Sequence, residues 1–225
     1  MAKTRKKLVV ALDGPAGSGK STVSKLLAKR LRLLYIDTGA MYRALTLKAM
    51  KQGADLENEN ALIELARSTK IDMKEEGKGL KVFLDGKDVT ALIRTPELTN
   101  NVKYIARVPG VRKEMVMLQR SIGARPGGAV LEGRDIGTVV FPDADYKFYL
   151  DADEEERVKR RYKELIALGQ KVDLEEMRKD VSMRDESDMK RSVGALKKAE
   201  DAVVIDTTEL SIDQAVEKIL TYIRC

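Results

Sequence analysis

The residues with the clearest chemical purpose lie near the start of the chain. Gly14-Pro15-Ala16-Gly17-Ser18-Gly19-Lys20-Ser21 fits the pattern G-x-x-x-x-G-K-[ST] without a mismatch. Glycines let backbone N–H groups curl around an oxyanion, and a following helix points its positive end at the same group. Lys20 adds a charge for the outer phosphates of a nucleoside triphosphate, and the Ser21 hydroxyl is suited to ligate magnesium. A competing dinucleotide fingerprint fails, because Gly17-x-Gly19-x-x ends on Thr22. The motif predicts triphosphate binding and leaves its use open.

Four further constellations combine charge with suggestive spacing. Asp37-Thr38-Gly39-Ala40-Met41-Tyr42-Arg43 sets a hydroxyl at a helix entrance and an arginine about a turn later. Together they either grip a phosphate or base, or amount to a helix capped by Thr38 with an arginine in solvent. Glu132-Gly133-Arg134-Asp135 falls at the end of an expected strand, where open α/β sheets collect ligands. There Arg134 can reach a phosphate, while Asp135 bonds a sugar hydroxyl or orients an arginine. Glu132 and Asp13 are weaker candidates for magnesium. Arg184, Asp188 and Arg191, spaced by four and three, share one face of an expected helix. They are either surface ion pairs, or two phosphate-binding guanidiniums beside a carboxylate that accepts from an exocyclic amine, which cytosine carries and uracil lacks. Arg157, Arg160 and Arg161 cluster similarly, either paired with Glu154, Glu155, Glu156 and Glu164 or placed on a mobile lid.

The elements that must position these residues follow from hydrophobic period. Leu8–Leu12 is a short apolar run, and Val23, Leu26, Leu27 and Leu31 recur at helical spacing after the glycine loop. Strands are predicted at 33–36, 128–132, 146–150 and 202–206. Helices are predicted from Thr38 to about Met50, over 60–68, from Thr95-Pro96, from Pro109 to near Gly123, over 153–168 closed by Gly169, and from Leu174 to about Arg191. Ser211 and Gln214 form a capping box for a terminal helix. Between Ile71 and Val89, two alternating runs and the turn Asp85-Gly86 predict a small antiparallel sheet. Strands alternating with helices imply a parallel sheet covered on both faces, here an α/β core with an inserted α+β patch near 70–100.

Composition narrows the chemistry. Among 225 residues there is no histidine, which excludes histidine bases, triads and histidine metal ligands. The single cysteine, Cys225, forms no internal disulfide, and the expected compartment is cytoplasmic. The basic start Lys3-Thr4-Arg5-Lys6-Lys7 is followed by too short an apolar run for a signal peptide, and residues 1–7 are expected to be disordered. A net charge of +6 suits either polyanionic partners or a plain solvated surface. No aromatic-rich basic stripe supports a nucleic-acid-binding ATPase, and no Asn-Lys-x-Asp motif supports a guanine switch.

Taken together, DGPAGSGKST (13–22), DTGAMYR (37–43), IRTPE (93–97), VPGVR (108–112), EGRDIGTVVFPDA (132–144) and RDESDMKR (184–191) resemble the bacterial cytidylate kinase family over nearly the whole chain. That resemblance implies a P-loop NTPase fold with a three-layer core around a parallel sheet, a helical lid and a small inserted α+β domain. It divides the chain into a core segment 1–35, a nucleoside-monophosphate region 36–112 holding the insert near 70–100, and a remainder 113–225 with the lid near 153–172. It implies ATP contacts at Gly14, Pro15, Ala16, Gly17, Ser18, Gly19, Lys20, Ser21 and Thr22, with magnesium at Ser21. CMP contacts are implied at Thr38, Arg43, Arg112, Arg134, Asp135, Arg184, Asp188 and Arg191, and catalytic roles for Lys20 and for Arg157 and Arg161 of the lid. The implied reaction is in-line transfer of the ATP γ-phosphoryl to CMP or dCMP by a monomer that has nucleotides, and neither nucleic acid nor membrane, as partners. Two positions depart from the family pattern: Lys103 stands where a base-contacting serine is usual, and Glu132 replaces the commoner aspartate.

Overall fold

The computed structural model describes residues 8–76, 79–167, 169 and 171–223. The basic start expected to be disordered, and Cys225, lie outside the described residues. Five parallel strands form the central sheet in the order β2-β6-β1-β7-β8. They are β1 (Leu8–Asp13), β2 (Leu34–Asp37), β6 (Gly128–Gly133), β7 (Tyr146–Asp151) and β8 (Val203–Asp206). A second, antiparallel sheet contains β3 (Ile71–Glu76), β4 (Gly79–Leu84) and β5 (Lys87–Asp88). Its tight turn uses Asp85 and Gly86, at φ 48° and 82°, as the Asp-Gly pair predicts.

Alternation along the strands assigns the two faces. Val9 and Ala11 of β1 pack with Ile36, Ala129 and Leu131 against α2 (Thr38–Lys51) and α5 (Pro109–Gly123). The same apolar cluster takes in α3 (Glu59–Ser68), α4 (Pro96–Ala106) and the insert residues Ile71, Met73, Val82 and Leu84. Val10 and Leu12 point the other way, joining Phe148 and Leu150 against α1 (Lys20–Leu31) and α8 (Ile212–Ile223). This is the expected three-layer α/β core, with the inserted sheet sharing the core's apolar cluster. A separate small cluster of Val158, Leu165, Met177 and Val181 joins α6 (Glu154–Ala167) to α7 (Leu174–Met189). The α8 capping box is reciprocal: Ser211 N–H donates to Gln214 Oε1 at 2.8 Å, and Gln214 N–H to Ser211 Oγ at 3.3 Å.

Two elements differ from the sequence reading. After β6 the chain makes a π-type turn over Ile136–Val140, in which the N–H of Val140 bonds Asp135 O and that of Phe141 bonds Ile136 O. The turn is held by Asp13, whose two carboxylate oxygens accept from the Ile136 and Gly137 amides at 2.8 Å each. Asp13 thus clamps the backbone of this turn. In addition, α7 stops at Met189, so Arg191 lies beyond the helix whose face it was expected to share. No helix among the described residues is long and apolar enough to cross a membrane.

Candidate active site

The carboxyl ends of β1, β2 and β6 open into one cavity of about 1080 Å³. At one end lies the phosphate loop, between β1 and α1. Gly14, Gly17 and Gly19 have φ of 147°, 79° and 85°, and Gly19 begins α1 with no side-chain cap, leaving its first amides free for an anion. Lys20 is buried; its ammonium donates to Pro15 O at 2.5 Å and Ser18 Oγ at 3.2 Å. Burial, reinforced by Arg134 and Arg184, lowers its pKa to about 7.

Glu132, at the end of β6, links the loop to the rest of the site. Its Oε2 accepts from the Ser21 hydroxyl at 2.9 Å, its Oε1 from the Tyr35 hydroxyl, and its carbonyl from Thr38 Oγ1 at 2.7 Å. Burial, then the nearby Asp37 charge, pushes its carboxyl above the ordinary range. Ser21 and Glu132 thus present adjacent oxygens beside the phosphate loop. That donor set fits a hard cation that takes its other ligands from substrate phosphates. Among the described residues no group of three or more His, Cys, Asp or Glu side chains is placed to hold a metal ion.

Opposite the loop, the sequence-predicted acceptor residues converge. Thr38 does not cap α2; Asp37 does, accepting from the Ala40 amide at 2.8 Å, which leaves Thr38 on the Glu132 carbonyl. Arg43 folds back onto Asp37 at 2.8 Å instead of extending into solvent. Burial works against the Asp37 charge, yet Arg43 and the Ala40 amide keep its carboxyl below the usual range. Arg134 Nε donates to Asp188 Oδ2 at 2.6 Å, and Arg191 takes the other oxygen of the same carboxylate. Arg112 donates to Asp135 at 2.5 Å and lies 5.4 Å from the centre of the Tyr42 ring. Despite burial, the arginines around Asp188 hold its carboxyl below the usual range, whereas burial wins at Asp135 and raises it. Arg184 has no carboxylate within ion-pairing distance among the described residues. Burial, then Arg134, lowers its pKa to about 10. Lys20, Arg134, Arg161 and Arg184 therefore make an electropositive centre between the two ends, suited to several phosphates at once.

The three lid arginines separate in space. Arg160 and Arg161 face the cavity, Arg160 also donating to the Thr207 carbonyl at 2.6 Å and Arg161 to Glu164 at 2.8 Å. Arg157 is turned beneath the phosphate loop, where it pairs with Asp185 and donates to Ala16 O at 3.2 Å. Lys103 is exposed, its ammonium 5.2 Å from the Tyr104 ring centre, while Thr99 and Val102 of the same helix line the cavity. Sequence reasoning missed Asp185, Tyr42 and Gly194. The last two enclose the Arg112 guanidinium, and no local pattern marks a contact made across such long loops.

Comparison with known proteins agrees with this architecture. A family model described as cytidylate kinase matches residues 10–225. The chain is 52% identical over 216 residues to the cytidylate kinase of Geobacillus sp. (strain WCH70), covering 96% of each. It is 49% identical over 219 residues to that of Anoxybacillus flavithermus (strain DSM 21510 / WK1), covering 97% of each. Among solved structures, the shikimate kinase from Bacteroides thetaiotaomicron superposes with a TM-score of 0.50 at 12% identity, over 97% of this chain and 99% of that one. A protein from Eubacterium ventriosum ATCC 27560 gives 0.53 at 14% identity, over 97% and 99%. These two likenesses concern the fold alone.

Proposed function

Since the chain belongs to the cytidylate kinase family and so phosphorylates CMP and dCMP with ATP, we propose how its own residues divide that work. The observation that carries the reading is the single cavity with the phosphate loop at one end and the Arg112–Asp135 and Arg134–Asp188–Arg191 networks at the other. ATP lies along Gly14 to Thr22 with its outer phosphates at Lys20. The CMP phosphate is met by Thr38, Arg43, Arg134 and Arg184. Asp135 and Asp188, each held by arginine, supply the acceptors that an exocyclic amine and sugar hydroxyls require. Arg112 and Arg191 orient those carboxylates.

Two polyanions must be brought together, so the chain's task is positioning and charge neutralisation. The attacking oxygen belongs to a phosphate and is already anionic, which removes the need for a strong general base and agrees with a chain lacking histidine. Lys20 and Arg161 screen the transferring group, and lid closure excludes water that would otherwise hydrolyse ATP. Ser21 and Glu132 would hold magnesium, which supplies neutralisation of phosphate charge when bound. The monomeric state extends this reading and is checked by sizing the protein in solution, and the cytoplasmic location by fractionating cells.

The test is ADP release with ATP, magnesium and each of CMP, dCMP, UMP and AMP. Fast turnover with CMP and dCMP and little with AMP is expected. Preference for AMP would overturn the assignment of the acceptor end.

A further inference from the structure

Asp185 is given no role in the division of work above, yet it is buried and lies in the C-terminal half of α7, between Arg184 and Asp188. Its Oδ1 accepts from the Ala16 amide of the phosphate loop at 3.2 Å, and its Oδ2 from Arg157 Nη1. Arg157 in turn donates from Nη1 to Ala16 O at 3.2 Å and from Nε to Ala152 O at 3.0 Å. Both polar groups of one loop residue, N–H and C=O, are therefore held by one ion pair whose members come from α6 and α7. Contact with the loop is close elsewhere too. A Cβ on Gly17 would stand 2.8 Å from Arg157 O and 2.9 Å from Arg157 Cβ.

The loop needs such an external hold. Glycines at 14, 17 and 19 give its backbone the freedom to wrap a phosphate and, equally, the freedom to lose that shape. Ala16 sits between the first two of them, and its amide is turned toward Asp185. We propose that Asp185, acting with Arg157, is a positioning residue that locks the phosphate loop to the helix carrying Arg184 and Asp188, so that donor and acceptor phosphates are held in register. Arg157 on this account touches the loop from beneath and is likewise a positioning residue. The inference rests on the reading of the two cavity ends as ATP and CMP sites.

The experiment uses the full chain with Asp185→Asn, which keeps an acceptor for the Ala16 amide but removes the charge that holds Arg157. Arg157→Lys is the second variant, keeping the charge but losing the Nε donor to Ala152 O that fixes Nη1 on Ala16 O and Asp185. Readouts are kcat, KM for ATP and CMP separately, affinity for a non-hydrolysable ATP analogue with magnesium, and Tm. In both variants kcat should fall about 10- to 100-fold and analogue affinity should weaken, with KM for CMP moving by less than about threefold. Unchanged kinetics would overturn the proposal. So would equal losses on the ATP and CMP sides accompanied by a lowered Tm, since a merely stabilising contact gives that pattern. If wild-type protein shows no CMP-dependent ADP release, the acceptor assignment fails instead, and analogue affinity still reports on the lock.

Discussion

Replacing Gly194 by alanine perturbs the acceptor end from a position not itself expected to meet a nucleotide, through Arg112. Gly194 follows α7 at φ 66°, and a Cβ there would stand 2.0 Å from Arg112 Nη2, 2.3 Å from Cζ and 2.4 Å from Nε. Carbon and nitrogen approach no closer than about 3.5 Å without repulsion, so guanidinium and backbone must part by about 1.5 Å. The guanidinium has little room: Tyr42 lies 5.4 Å away ring to Cζ, Ala106 O accepts from Nη1 at 3.3 Å, and Asp135 accepts from Nη2 at 2.5 Å. A retreat of that size stretches the Asp135 contact to about 4 Å, beyond a hydrogen bond. Breaking a buried pair costs about 3–5 kcal/mol, and a left-handed alanine adds about 1–2 kcal/mol.

Part of that cost relaxes through the loop after α7. If about 2 kcal/mol of it falls on the acceptor site, KM for CMP rises about 30-fold. The backbone strain alone lowers Tm by about 2–8 °C in a chain of this length. Steady-state kinetics with each substrate varied, together with a thermal melt, read both effects. KM for ATP should stay within about twofold, because the three atoms nearest a Cβ at Gly194 all belong to Arg112 and none to the phosphate loop. A Gly194→Ala protein with a lowered Tm but an unchanged KM for CMP would refute the claim that the Arg112–Asp135 geometry serves the acceptor.

Asp188→Ala leaves Arg134 and Arg191 facing each other without their shared carboxylate, so KM for CMP should rise at least about tenfold while ATP-analogue affinity holds; equal loss of both would sink the acceptor role. Lys20, at about 7 in the free protein, should take up a proton when ATP binds at pH 8, read by calorimetry in buffers of differing ionisation enthalpy; binding without proton uptake would contradict it. The same shift sets a stability trend. A lysine held below its unfolded value destabilises most fully below about pH 7, and the penalty fades as pH climbs toward 10.5. Lys20→Met should therefore raise Tm more at pH 6 than at pH 9 while abolishing turnover, and an opposite trend would refute the burial argument.

What was legible in the sequence was what short-range physics decides. The phosphate loop shows itself because its glycines, lysine and serine act within one turn of chain, and the strands because alternation and apolar runs record burial directly. Contacts closed between distant segments left weaker marks. Thr38 was a natural reading for a helix cap, but Asp37 is also a good cap, and the pull of the Glu132 carbonyl on the Thr38 hydroxyl decides between them only once β6 lies beside β2. Arg191 kept its expected partner Asp188 although the helix had ended, because three residues of turn still span the distance.

The lid arginines show most clearly why spacing could not go further. Arg157, Arg160 and Arg161 are the same residue type and lie within two turns of one helix, so periodicity gives each the same claim on a phosphate. What separates them is which neighbour each meets. Asp185 and the Ala16 peptide draw Arg157 under the loop, Thr207 and Thr208 hold Arg160 at the far side of the cavity, and among the described residues only an exposed glutamate one turn on restrains Arg161. Exposed pairs of that last kind are worth about 0.2–1 kcal/mol, little against a phosphate, so Arg161 is the arginine free to change partners during turnover. Arg157 would have to leave a buried carboxylate uncompensated to do the same, which costs several times more. In the proposed mechanism the ordering of these two costs, not the sequence pattern, assigns Arg161 to the moving phosphoryl group and Arg157 to the frame that holds the loop.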